Sequence, residues 1–111
     1  METDYYNEGD ILIVAPSGKL DTTYAPGFLK LVEKLLADKP KACLIDLRNI
    51  TFLSSSGLQS ILAAAKISKK EQMHFGVFGM QDMAYNVFTM SGFNQFIKSF
   101  NSKEDALANL L

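Results

Sequence analysis

Ala42-Cys43-Leu44-Ile45-Asp46-Leu47-Arg48-Asn49-Ile50-Thr51-Phe52-Leu53-Ser54-Ser55-Ser56-Gly57-Leu58 is the stretch on which the fold turns. Ala42 to Ile45 is an uninterrupted apolar run, the pattern of a strand buried on both faces inside a parallel sheet. At the other end, consecutive hydroxyl residues and a glycine precede Leu58, Ile61, Leu62 and Ala65, which recur at helical spacing. The serines suit a turn and a helix cap, and Lys66, Lys69 and Lys70 suit the negative C-terminal end of the helix that follows. A buried strand leading into an amphipathic helix is the building unit of α/β proteins.

The flanking sequence continues the alternation. Upstream, Tyr5-Tyr6 and Ile11 to Val14 are short strand-like runs separated by Asn7-Glu8-Gly9-Asp10, which suits a hairpin. After a turn at Pro16-Ser17-Gly18, one of Asp21, Thr22 or Thr23 is placed to cap a helix carrying Phe28, Leu31, Val32 and Leu35 on one face. Pro26 fits only its first turn, and Lys39-Pro40 ends it. Downstream, His74 to Gly79 reads as a strand. Asp82 opens a helix that Gly92 closes from the C' position. Phe96 to Phe100 is a short strand, and Ser102-Lys103-Glu104-Asp105 resembles a capping box before a last helix with Leu107, Leu110 and Leu111 facing inward. The order ββαβαβαβα predicts an α/β fold with a mainly parallel sheet, an N-terminal hairpin and about four helices.

Composition narrows the function. The 111 residues suit one domain, 48% are hydrophobic, and 11 basic residues against 12 acidic ones leave a net charge of -1. That balance, with no basic block longer than Lys69-Lys70, argues against a nucleic-acid backbone reader. No apolar run approaches the length of a membrane span, and the acidic N-terminus lacks the pattern of a signal peptide. Cys43 stands alone, so a buried apolar role in a reducing cytoplasm is expected of it. Neither metal nor cofactor is expected, since no cysteine pair, Walker loop or His-Glu-x-x-His occurs.

The segment from Asp46 to Leu58 leads from the C-terminal end of a central strand to a helix start, where functional residues gather in open α/β sheets. This segment resembles the signature of STAS domains, specifically the single-domain anti-sigma factor antagonists. Ser17-Gly18-Lys19-Leu20-Asp21, with Ala25 and Leu29, is similar to a second family element, and Met90-Ser91-Gly92-Phe93 through Phe96 and Ile97 to a third. The resemblance spans nearly the whole chain, 1–111, as a single STAS domain.

It implies a phosphorylation switch. In the family a serine ahead of Ser-Gly-Leu is phosphorylated by the anti-sigma factor, a serine kinase, and a serine phosphatase removes the phosphate. Carried over by position, that serine is Ser55, with Ser54 and Ser56 as alternatives. Ser54 stands where the family has an aspartate, and Lys19 stands where it has an acid. The implied partner surface takes in Asp21, Ser54, Ser55, Ser56 and Gly57. Met83 and Met90, on one stripe of the third helix, join it as soft, adaptable side chains, while Phe88 is assigned to the core. Two rivals follow: a STAS subunit of a signalling scaffold or lipid-transport complex without phosphorylation, and, more remotely, a small serine hydrolase pairing Ser55 with His74. The hydrolase reading lacks a third, orienting group, and His74 in its strand is expected to be structural rather than catalytic, so the chain is not expected to be an enzyme.

Overall fold

In the computed structural model, which describes residues 1–111, strand β2 (Ile11–Leu20) organises the chain by changing partner along its length. Ile11 to Ser17 pair antiparallel with β1 (Glu2–Glu8), and Ile11 to Val14 also pair parallel with β3 (Ala42–Asp46), placing Ile11 beside Ala42 and Val14 beside Ile45. Gly18 to Leu20 pair instead with β4 (Ile50–Leu53). Pro16 and Gly18 account for the change. Proline has no N–H to offer a ladder, and Gly18 takes φ +94° where the register shifts before Lys19. The expected turn at Pro16-Ser17-Gly18 is thus a bend inside a continuing strand.

The remaining order is α1 (Ala25–Leu36), then β3, β4, α2 (Ser55–Lys70), β5 (His74–Phe78), α3 (Asp82–Met90), a 3-10 turn over Phe93–Gln95, β6 (Lys98–Phe100) and α4 (Lys103–Asn109). The strands lie in the order β1-β2-β3-β5-β6, with β4 attached to β2. Every pairing but the N-terminal hairpin is parallel, as the alternating pattern requires. β4 was not expected. Its four residues alternate too briefly to register as a strand, and it exists because the diverging end of β2 needs a partner. The last strand starts at Lys98 rather than Phe96 because the 3-10 turn occupies the preceding residues.

The two faces of the sheet are filled unequally. One carries Leu12, Val14, Cys43, Ile45 and Val77 against Phe28, Val32 and Leu36 of α1 and Leu58, Ile61 and Ala65 of α2. The other holds a small cluster of Ile13, Ala42, Leu44 and Phe78 under Ala106 of α4 and Leu110, which follows its last turn. Fully burying each such aliphatic side chain contributes about 1.5–3 kcal/mol before chain entropy is counted. Leu111, expected to face inward, is 56% exposed because α4 ends before it. Cys43 has no exposed surface, and burial pushes its thiol up to about 12. The buried hydroxyls of Ser60 and Ser68 donate to Gly57 O at 2.6 Å and Ala64 O at 2.9 Å, so α2 carries its polar residues into the core without stranding them.

Candidate functional site

Three adjacent serines open α2, and each does something different. Ser54 is the N-cap: its Oγ accepts from Gly57 N at 3.1 Å, and its amide donates to Leu20 O at 3.1 Å. This seats the helix on the end of β2. Ser56 Oγ lies 3.0 Å from Thr22 Oγ1, joining the start of α2 to the turn before α1. Ser55 is exposed at the first helical position, with no side-chain hydrogen bond. The first-turn amides of Ser55 and Ser56 have no intrahelical acceptor, and that turn contains no acidic residue. The result is a free hydroxyl at the positive end of a helix.

Gly57 makes this arrangement possible. A Cβ there would overlap Leu20 O and press on Leu53 Cδ1, so only glycine lets the first turn of α2 lie so close to β2. Gly57 is buried, and its part in the expected partner surface is accordingly to shape the turn rather than to touch a partner. Asp21 is likewise occupied: its Oδ1 accepts from the amides of Thr23 at 3.0 Å and Tyr24 at 3.3 Å. It stabilises the turn ahead of α1 and not the helix N-cap itself, which is Tyr24.

Beside the serines, the ends of β3 and β5 are clamped together. The buried Asp46 carboxylate accepts from Arg48 N at 3.0 Å, Arg48 Nε at 3.0 Å and Arg48 Nη2 at 2.8 Å. The hydrogen bonds to Asp46, followed by its charge, raise the Arg48 pKa above its ordinary value. The guanidinium lies 5.3 Å from the Phe78 ring centroid, and the absence of a side chain at Gly79, where φ is +77°, leaves room for the Arg48 stem. Gln81 Nε2 donates to Arg48 O at 3.0 Å, linking the start of α3 to the same loop.

Two shallow grooves flank the turn. One, of about 450 Å³, runs between β4 and α3 and is lined by Phe52, Leu53, Gln81, Asp82 and Met83. The other, of about 400 Å³, lies between α1 and α2 and includes Thr22, Pro26, Leu29, Ser56 and Gln59. Met83 is 70% exposed and Phe52 44%, an unusual display of apolar surface beside a polar turn.

A sequence profile of the STAS domain matches residues 2–106. The chain belongs to the STAS domain family. The anti-sigma-F factor antagonist RsfB of Mycobacterium tuberculosis is 27% identical over 100 residues, 90% of this chain and 81% of that protein. The crystal structure of an anti-sigma factor antagonist from Mycobacterium paratuberculosis superposes with a TM-score of 0.90 at 27% identity, covering 98% of this chain and 92% of the other. The phosphorylated form of the Bacillus cell fate determinant SpoIIAA shares the fold, with a TM-score of 0.74 at 12% identity, covering 99% of this chain and 100% of the other.

In this STAS domain the residues singled out from sequence do not all meet. Ser54, Ser55, Ser56 and Gly57 share one turn, and Met83 borders the groove beside it. Met90, 88% exposed, lies at the opposite end of α3, roughly 10 Å further along the helix axis, and lines neither groove. Phe88 is 1% exposed and belongs to the core, as expected. Thr22 as the partner of Ser56, and Phe52 as an exposed apolar residue, were not picked out; Phe52 carries no signal once β4 is missed. His74 is exposed at the start of β5, past the C-terminal end of α2, whereas Ser55 stands at the N-terminal end. The 16-residue helix between them spans ~24 Å, too far for a nucleophile and its base. No helix is long and apolar enough to cross a membrane.

Proposed function

We propose that this STAS domain is an anti-sigma factor antagonist that binds an anti-sigma factor serine kinase in the cytoplasm and is released from it by phosphorylation of Ser55. A serine phosphatase restores the binding form. The chain is then ligand and substrate, not catalyst. The observation that carries this reading is the division of labour among the serines: Ser54 caps, Ser56 is tied to Thr22, and Ser55 alone is exposed and unbonded. Relatives named as anti-sigma factor antagonists support the partner class.

The physics of the switch follows from its position. A phosphoserine carries about -1.5 to -2 charges, and unpaired helix-start amides accommodate that charge, so the fold tolerates modification. A partner packed over the turn, with apolar contacts along Phe52 and Met83, must instead bury the new charge. An unpaired buried charge costs several kcal/mol, and each 1.4 kcal/mol is about tenfold in affinity.

The test is phosphopeptide mapping after incubation with the cognate kinase and ATP, together with binding by Ser55→Ala and Ser55→Asp. Phosphate on Ser55, with Ser55→Ala binding but resisting modification, is the expected result. Phosphate on Ser54 or Ser56 moves the switch by one residue. None on any of the three leaves the unphosphorylated scaffold reading.

A further inference from the structure

Ser55 and Ser56 carry the same hydroxyl chemistry in the same helical turn, so a kinase that reaches one meets the other. We infer that Thr22, in the turn ahead of α1, is the positioning residue that confines phosphorylation to Ser55 by holding the Ser56 hydroxyl. This rests on the phosphorylation reading above and names the residue that sets its register. Ser54 is already withdrawn by its cap bond to Gly57 N.

The two serines differ in what surrounds them. Ser55 is exposed and its hydroxyl has no hydrogen bond within the chain, whereas Ser56 is half-buried with its Oγ 3.0 Å from Thr22 Oγ1. Successive side chains on a helix diverge by about 100°. Ser56 is accordingly turned toward α1, where it lines the groove with Pro26 and Leu29. Thr22 is itself held in place. Asp21, beside it, accepts from three successive amides: Thr23 at 3.0 Å through Oδ1, Tyr24 at 3.1 Å and Ala25 at 2.8 Å through its backbone oxygen. Thr22 therefore presents its hydroxyl from a braced turn.

Phosphoryl transfer from ATP makes a bond between the γ-phosphorus and serine Oγ as the bond to the bridging oxygen of ADP breaks, and the serine proton passes to a base of the kinase. The accepting oxygen must stand in line with the γ-phosphorus, and its proton must be free to leave. The Ser55 hydroxyl rotates to meet both demands without losing a partner. Ser56 has first to give up Thr22 and turn out of the α1 groove, and the hydrogen bond lost on the way is worth about two- to tenfold in rate. A phosphate on Ser56 would also lie against the apolar side chains of Pro26 and Leu29, away from the open surface that Ser55 faces.

The test compares the parent with Thr22→Val, which removes the hydroxyl and keeps the shape, and Thr22→Ser, which keeps a hydroxyl. Thr22 is exposed, so neither change enters the core, and amide spectra check that both variants fold. In the purified domain, three-bond couplings across Ser56 χ1 are expected to report one rotamer in the parent and in Thr22→Ser, and an average in Thr22→Val, with Ser55 averaged in all three. Each protein is then produced in its own cells and its phosphopeptides are mapped. The ratio of Ser56 to Ser55 phosphate is expected to rise about two- to tenfold in Thr22→Val and to return to the parent value in Thr22→Ser. An averaged Ser56 rotamer in the parent, a ratio unchanged by Thr22→Val or not restored by Thr22→Ser, or a parent phosphorylated chiefly on Ser56 overturns the inference. Phosphate on Ser55 with an unchanged ratio overturns it alone, whereas a parent unmodified on all three serines overturns the switch as well.

Discussion

α2 and α4 begin in the same way and are completed differently. In both helices a serine N-cap accepts from the amide three residues on, Ser54 from Gly57 and Ser102 from Asp105, each at 3.1 Å. The first turn of α4 then supplies Glu104 and Asp105, negative charge suited to the helix dipole. The first turn of α2 has hydroxyls and glycine where α4 has acids. A finished helix start and an unfinished one therefore sit in one small protein, and the unfinished one is where added charge has somewhere to go.

The strongest test of that contrast is the third helical position, glycine in α2 and aspartate in α4. Gly57→Ala drives a methyl group into Leu20 O and is expected to cost about 2–3 kcal/mol, read as a lower denaturation midpoint. Asp105→Ala, on an exposed surface, is expected to cost less than about 1 kcal/mol. Equal losses would break the contrast. Next, Ser54→Ala and Ser102→Ala should each cost about 1 kcal/mol by denaturant titration, because both remove a cap of the same geometry. A negligible loss at Ser54 would show that the amides there find another acceptor.

The smallest effects carry the sign that matters most. Ser55→Asp should stabilise the isolated domain by about 0.3–1 kcal/mol at low salt while weakening kinase binding, whereas Glu104→Gln should destabilise it by a comparable amount. Both changes should shrink as salt is added. Destabilisation by Ser55→Asp would mean that the turn of α2 does not welcome charge.

Local chemistry in the chain was enough for most of the fold. Ala42 to Ile45 could only be an interior strand, Ser54 and Ser102 cap as their sequence contexts indicate, and Gly92 takes the left-handed conformation after α3. What escaped depends on contacts between distant residues. β4 exists because β2 bends at Gly18 and leaves Gly18 to Leu20 needing a new partner. The site shows the same division: three serines in a row were conspicuous, but which one remains free depends on Leu20 and Thr22 more than thirty residues earlier. The Met83–Met90 stripe marked one helical face, yet only Met83 reaches the groove because the face extends past it.

Cys43, enclosed within β3, gives the molecule an internal clock. A water-soluble alkylating reagent reaches its thiol only in molecules whose sheet has opened, so the labelling rate counts openings without any engineered probe. Burial pushes the native thiol from the ordinary 9.0 up to about 12, so the native state retains its proton longer and stability falls as pH rises through that window. At a fixed neutral pH the native thiol is protonated and the opened one supplies a constant small thiolate fraction, so differences in labelling rate between samples report differences in opening. Timing unmodified and Ser55-phosphorylated protein side by side asks whether a phosphate at that turn leaves the sheet closed, as the proposed switch requires.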